Sequence, residues 1–105
     1  MLDSSLRFRP VAPLSGEVDL AVAPDAGKRL LAVAQETPGS SVVLDCTELT
    51  FIDASGITML LDVAERSGKA VRLVNLTACC RKVFDVLDLC EWFGIEPHEI
   101  ALGGI

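Results

Sequence analysis

Histidine is almost missing from this chain: its 105 residues include one, His98, in the polar stretch Glu96-Pro97-His98-Glu99. Acyl-transfer chemistry at a serine needs a partnered base within hydrogen-bond reach, so a small enzyme built on Ser55 or a cysteine is not expected. Basic residues are also in short supply, nine Lys and Arg against fifteen Asp and Glu, for a net charge of −6. Nucleic acid and anionic membrane both demand a local excess of cations, which argues against either as a partner. No apolar run approaches the roughly 20 residues that span a bilayer, and residues 1–10 lack the apolar stretch of a signal peptide. The expectation is a cytoplasmic protein with no direct membrane insertion.

Paired metal ligands are missing as well. Cys46, Cys79, Cys80 and Cys90 include no Cys-x-x-Cys and have no neighbouring His, so neither a metal site nor a cofactor is expected. If Cys79 and Cys90 share a helix they lie about 16 Å apart along it, beyond the roughly 7 Å between Cα atoms that a disulfide tolerates. The four thiols are expected to be free and to pack as small apolar groups. Phosphate-binding loops are absent too: Gly16-Glu17-Val18 lacks the Lys-Ser/Thr ending, and Ser67-Gly68-Lys69 closes a helix instead of opening one.

What the chain does have is apolar content, at 50% of residues, enough for one core in a domain of this size. No repeat, low-complexity tract or linker divides it. Leu6 to Arg9 suggests a short edge strand ended by Pro10, and Leu14 to Val18 a second one. Ala26, Leu30, Val33 and Ala34 recur at helical spacing, with Pro24 suited to the first turn and Pro38-Gly39 to the stop. The run Ser41-Val42-Val43-Leu44-Asp45-Cys46 reads as a strand covered on both faces. The stretch from Thr47 to Ser55 is expected to return over the surface. Ile57, Leu60, Leu61 and Ala64 then mark an amphipathic helix stopped at Ser67-Gly68. Ala70 to Asn75 is another buried strand, and Thr77 is placed to cap a third helix with Cys80, Val83, Phe84 and Leu87 as its apolar stripe. Trp92, Phe93 and Ile95 are expected on the core.

The order predicts a single α/β domain over 1–105, with a mixed sheet of four or five strands and helices near 24–37, 56–67 and 78–89. Val43, Leu44, Leu60, Leu61, Leu73, Phe84 and Leu87 are its expected core.

The one segment with functional character is Phe51-Ile52-Asp53-Ala54-Ser55-Gly56-Ile57. Asp53 or Ser55 would cap the following helix, leaving a short polar loop at a positive helix end. Together with Val42-Val43-Leu44-Asp45 upstream, with Leu14-Ser15-Gly16-Glu17-Val18-Asp19 before that, and with Val71-Arg72-Leu73-Val74-Asn75 and the helix after Thr77, this segment resembles the STAS domain. That family is shared by bacterial anti-sigma factor antagonists and sulfate-transporter tails. The resemblance covers roughly residues 14–93; residues 1–13 match loosely and 94–105 form a tail.

For a stand-alone member, the resemblance implies a binding module that engages an anti-sigma factor, itself an ATP-dependent serine kinase, and so frees a sigma factor. It implies a partner surface of Asp19, Asp53, Ala54, Ser55, Gly56 and Met59. Met59 is placed there by helical geometry, about 200° around from an inward Ile57. Phosphorylation of the hydroxyl directly after the motif's Asp normally breaks the complex. Here that position is Ala54, so the switch is expected to be absent or moved to Ser55. Loss of the acceptor keeps open an alternative, a STAS regulatory subunit of a larger assembly such as a lipid-transport ATPase or a stress-sensing complex.

Overall fold

The computed structural model describes residues 9–95. Its elements run β1 (Ala12–Pro13), β2 (Gly16–Val18), α1 (Ala23–Glu36), β3 (Ser41–Asp45), β4 (Leu49–Ile52), α2 (Ala54–Ser67), β5 (Ala70–Val74) and α3 (Ala78–Val86). The α/β class, the three helices and the central strands β3 and β5 are those expected, and β4 is an added strand. In place of one mixed sheet, the described strands form two, ordered β1-β3-β5 and β2-β4, with every pairing parallel. The expected strand over Leu6 to Arg9 lies mostly outside the described residues, as do His98 and the rest of the tail beyond Ile95.

The central pair is β3 and β5, in register from Ser41 opposite Ala70 to Asp45 opposite Val74. Val42, Val43, Leu44, Val71 and Leu73 are all buried, as an apolar run covered on both faces requires. Pro13 sits in the edge strand β1, where its missing N–H costs least; the neighbouring Val11 and Leu14 amides carry the bonds to Val43 and Asp45 carbonyls.

Strand β4 departs from the expectation of a surface loop. Its burial runs buried, exposed, exposed, buried, so it shows no two-residue alternation. The cause is a register shift opposite Gly16 and Glu17, which pair with Leu49 and Phe51. This bulge-like irregularity turns both Leu49 and Ile52 inward.

Helix ends follow local chemistry. Pro24 lies in the first turn of α1. Gly68 ends α2 at a left-handed φ of 72°, its N–H donating to the Ala64 carbonyl. Thr77 accepts from the Cys80 N–H to cap α3. The Lys69 ammonium donates to the carbonyls of Ala34 and Thr37 at the open end of α1, where a cation also opposes the helix dipole.

Helix α3 is shorter than expected. It ends at Val86, and Asp88 takes a left-handed φ of 60°. Leu87 therefore leaves the stripe and is 49% exposed, not core, while Cys80 and Phe84 stay buried. Beyond the turn, Phe93 is fully buried and stacks edge-on against Phe84 at 5.2 Å between ring centres. Its carbonyl accepts from the Leu73 N–H at the open edge of β5. Ile95 is buried with it, but Trp92 lies on the outside of Phe93 and is half exposed. Leu61 is partly buried at the edge of the core.

Candidate functional site

Three strands end in aspartates that turn the chain, and all three carboxylates are spent on nearby donors. Asp53 follows β4 in extended backbone and is the N-cap of α2, its Oδ1 accepting from Ser55 N–H at 2.9 Å and Gly56 N–H at 3.2 Å. Of the two capping candidates the sequence offered, Asp53 holds the position. Asp19 follows β2; its Oδ1 accepts from Ala21 and Val22 N–H at 3.1 and 3.2 Å. Asp45 closes β3 by accepting from the Thr47 hydroxyl at 2.6 Å, the Thr47 N–H and the Asn75 amide. The Thr47 hydroxyl, then Asn75, then the Thr47 N–H hold the Asp45 carboxyl below its ordinary value.

Asp19 and Asp53 are brought side by side by the β2–β4 pairing, in which Val18 faces Ile52, and the Asp53 N–H donates to the Val18 carbonyl. Gly56 makes that approach possible. A Cβ on it would lie 2.6 Å from Ile52 Cγ1 and 2.8 Å from the Val18 carbonyl oxygen. The loop 53–56 is thus clamped between its cap and its neighbour strand.

Ala54 is exposed at the first position of α2, and Ser55 is half-buried at the second. Because Asp53 caps the helix, the Ser55 hydroxyl is not committed to a backbone N–H, and it makes no hydrogen bond among the described residues.

Met59 does not belong to an exposed patch. It is 8% exposed, packed on α1 where a Cβ on Gly27 would approach Met59 Cγ at 3.0 Å. The inward face of α2 comprises Gly56, Ile57, Met59, Leu60, Val63 and Ala64, an arc of about 160° centred some 80° from Ile57 by helical geometry. The helix is covered by α1 as well as by the sheet, so the buried arc rotates toward α1 and takes Met59 in. Asp62 is exposed as expected and pairs with Arg66 at 2.8 Å.

Sequence reasoning missed the contribution of α1. Lys28 and Leu31 on α1, with Leu20 in the turn before it, face loop 53–56 and α2 across an open groove of about 660 Å³. The signal was present in Leu31, which stands about 100° from the inward Leu30, but one helix alone does not say what its flank faces.

All four cysteines are free, Cys79 exposed, Cys46 and Cys80 buried. Because α3 stops at Val86, Cys90 lies beyond the helix that carries Cys79. Burial, with Asp45 nearby, pushes the Cys46 thiol up to about 12. Burial and the Asp85 carboxylate, which accepts from the Cys90 thiol at 2.9 Å, push Cys90 up to about 11. Among the described residues no group of His, Cys, Asp and Glu could hold a metal ion, and no helix is long and apolar enough to cross a membrane.

The described residues form a parallel-stranded α/β domain in which aspartates at the ends of β2, β3 and β4 accept backbone N–H groups at the turns that follow. The sequence matches the family described as "Mlab, STAS domain" over residues 5–95, and the chain belongs to that STAS family. Its fold is similar to that of the anti-sigma factor antagonist SpoIIAA, solved in its unphosphorylated form. That likeness has a TM-score of 0.63 and 22% sequence identity, over 93% of this chain and 91% of that one. No curated protein matches the sequence.

Proposed function

We propose that this chain is an anti-sigma factor antagonist: it binds an anti-sigma factor of the serine-kinase type through loop 53–56, with Asp19 alongside, and so frees a sigma factor. The observation that carries the reading is the clamped loop itself, a small exposed Ala54 and an uncommitted Ser55 hydroxyl held rigidly at a helix start. A pre-formed loop binds without paying for its own ordering. The likeness to SpoIIAA supports the same reading at the level of fold. Any chemistry is done by the partner kinase in the cytoplasm, and this chain acts by binding.

The usual acceptor position is Ala54, which carries no hydroxyl. Ser55 is the only hydroxyl between Phe51 and Ile57, so a phosphorylation switch is either missing or moved there. Because Asp53 does the capping, the Ser55 hydroxyl is left uncommitted for a kinase. A phosphate on Ser55 would be held at the positive end of α2 and would bring about two negative charges into the interface.

The test is incubation with each serine-kinase anti-sigma factor of the same genome and ATP, comparing wild type, Ala54→Ser and Ser55→Ala by intact mass. A stable complex with one kinase is expected. Phosphate uptake by wild type, lost in Ser55→Ala, assigns the switch to Ser55; uptake by Ala54→Ser alone shows a competent interface without its acceptor. Failure of every kinase to bind removes the reading. Ala54 also favours a second one, a STAS regulatory subunit of a larger assembly such as a lipid-transport ATPase or stress-sensing complex, which affinity purification from the host would reveal as a co-purifying membrane ATPase.

A further inference from the structure

The groove between α1 and α2 is apolar at its base, and no side chain among the described residues fills it. Its floor is Ala23, Met59 and Val63, all buried, with Met59 seated against the α1 backbone at Gly27. At its rim Leu20 is 73% exposed, and with half-buried Leu31 and the floor it makes one continuous apolar surface. Ala54 and Ser55 line the same groove, so it continues directly from loop 53–56.

Charge narrows the occupant. The groove carries two cations, Lys28 and Arg66, against one anion, Asp62, although the chain as a whole is at −6. Asp62 is engaged by Arg66. Lys28 makes no ion pair or side-chain hydrogen bond among the described residues. The surplus charge is therefore positive at one place on an acidic protein. Small-molecule sites surround their ligand and orient it with a few enclosed polar groups; here Lys28, Asp62 and Arg66 are all exposed and the groove is open. Two helices flanking an open apolar trough suit a third helix laid between them.

We infer that the groove receives an amphipathic helix of the partner, with large apolar side chains over Leu20, Leu31 and Met59 and a carboxylate paired with Lys28. This rests on the anti-sigma factor reading and enlarges its docking surface from one loop to the α1–α2 face.

The experiment places the photo-crosslinking residue p-benzoylphenylalanine at Leu31 in host cells. The control is the same residue at Val86, an exposed apolar position on α3 outside the groove. Crosslinked peptides are then sequenced. The expected adduct at position 31, missing at 86, is an apolar-acidic helical segment of a serine-kinase anti-sigma factor. With that purified partner, Lys28→Glu should weaken Kd about tenfold at unchanged Tm, and reversing the partner's acidic residue should restore it. The inference is overturned by an adduct to lipid or to a second copy of this chain, by no adduct above that at position 86, or by unchanged affinity of Lys28→Glu. A segment of the stated pattern from another kind of protein keeps the groove and removes the anti-sigma reading. An anti-sigma factor that binds normally but never crosslinks at 31 does the reverse.

Discussion

Asp19 follows β2 and Asp53 follows β4, and because Val18 faces Ile52 across those parallel strands the two turns leave the same C-terminal end of the pair. Their later courses differ. After Asp53 the helix starts at once, with the carboxylate as N-cap and Gly56 pressed on the Val18 carbonyl. After Asp19 the chain makes a turn first, and α1 begins only at Ala23, with Val22 offering no side-chain cap. That delay leaves Leu20 and Val22 exposed, while no large apolar residue is exposed between Asp53 and Gly56. One turn is a clamped polar loop and the other is an apolar rim beside it. The lesson is that a single local device, an aspartate accepting backbone N–H groups two and three residues on, yields either structure according to what packs behind it.

The sharpest way to break this comparison is Gly56→Ala. A Cβ there meets backbone, which cannot yield as a flexible side chain can, so a stability loss of about 2 kcal/mol or more is expected in denaturant unfolding. An unchanged midpoint would mean that the loop is not clamped. Asp53→Ala removes the cap of α2 and should cost about 1 kcal/mol, with Asp53→Asn retaining most of it. Asp19→Ala should cost less, about 0.5 kcal/mol, because its bonds are exposed and close a turn ahead of the helix; equal losses at Asp19 and Asp53 would erase the distinction. Leu20→Ser should leave stability within about 0.5 kcal/mol of wild type, and a larger loss would show that the rim is part of the core.

The smallest effect belongs to the third aspartate turn. Asp45 is held below its ordinary 3.8 chiefly by the Thr47 hydroxyl. Its folded value is depressed, so the stability it lends is present above 3.8 and lost as pH falls through that lower folded value. An NMR titration of the Asp45 carboxyl should show a midpoint below 3.8 that moves up toward it in Thr47→Val. No movement would assign the depression to other donors.

Much of the fold was legible because its signals are local. The 3.6-residue period of Ala26, Leu30 and Ala34, the apolar run at Val42 to Leu44, the glycine stop at Gly68 and the Thr77 cap each depend on a few neighbouring residues. Loop 53–56 was legible as a motif for the same reason. Strand β4 was not, because its two inward residues are three apart and acquire that spacing only from the irregular pairing with β2. Leu87 fits the stripe of α3 in sequence but lies past the point where the helix ends.

The sequence by itself determined the α/β class, the order of the three helices and the two central strands, most of their buried faces, the aspartate turn before α2 and the lack of a hydroxyl at Ala54. These follow from backbone periodicity and short-range hydrogen bonding, which the chain encodes residue by residue. The tertiary structure decided which aspartate adjoins which, that Ser55 keeps its hydroxyl uncommitted, and that Met59 is floor and not surface. Met59 shows why: a helical wheel fixes the angle between two side chains, but only the arrival of α1 beside α2 decides that the burial arc reaches as far round as Met59.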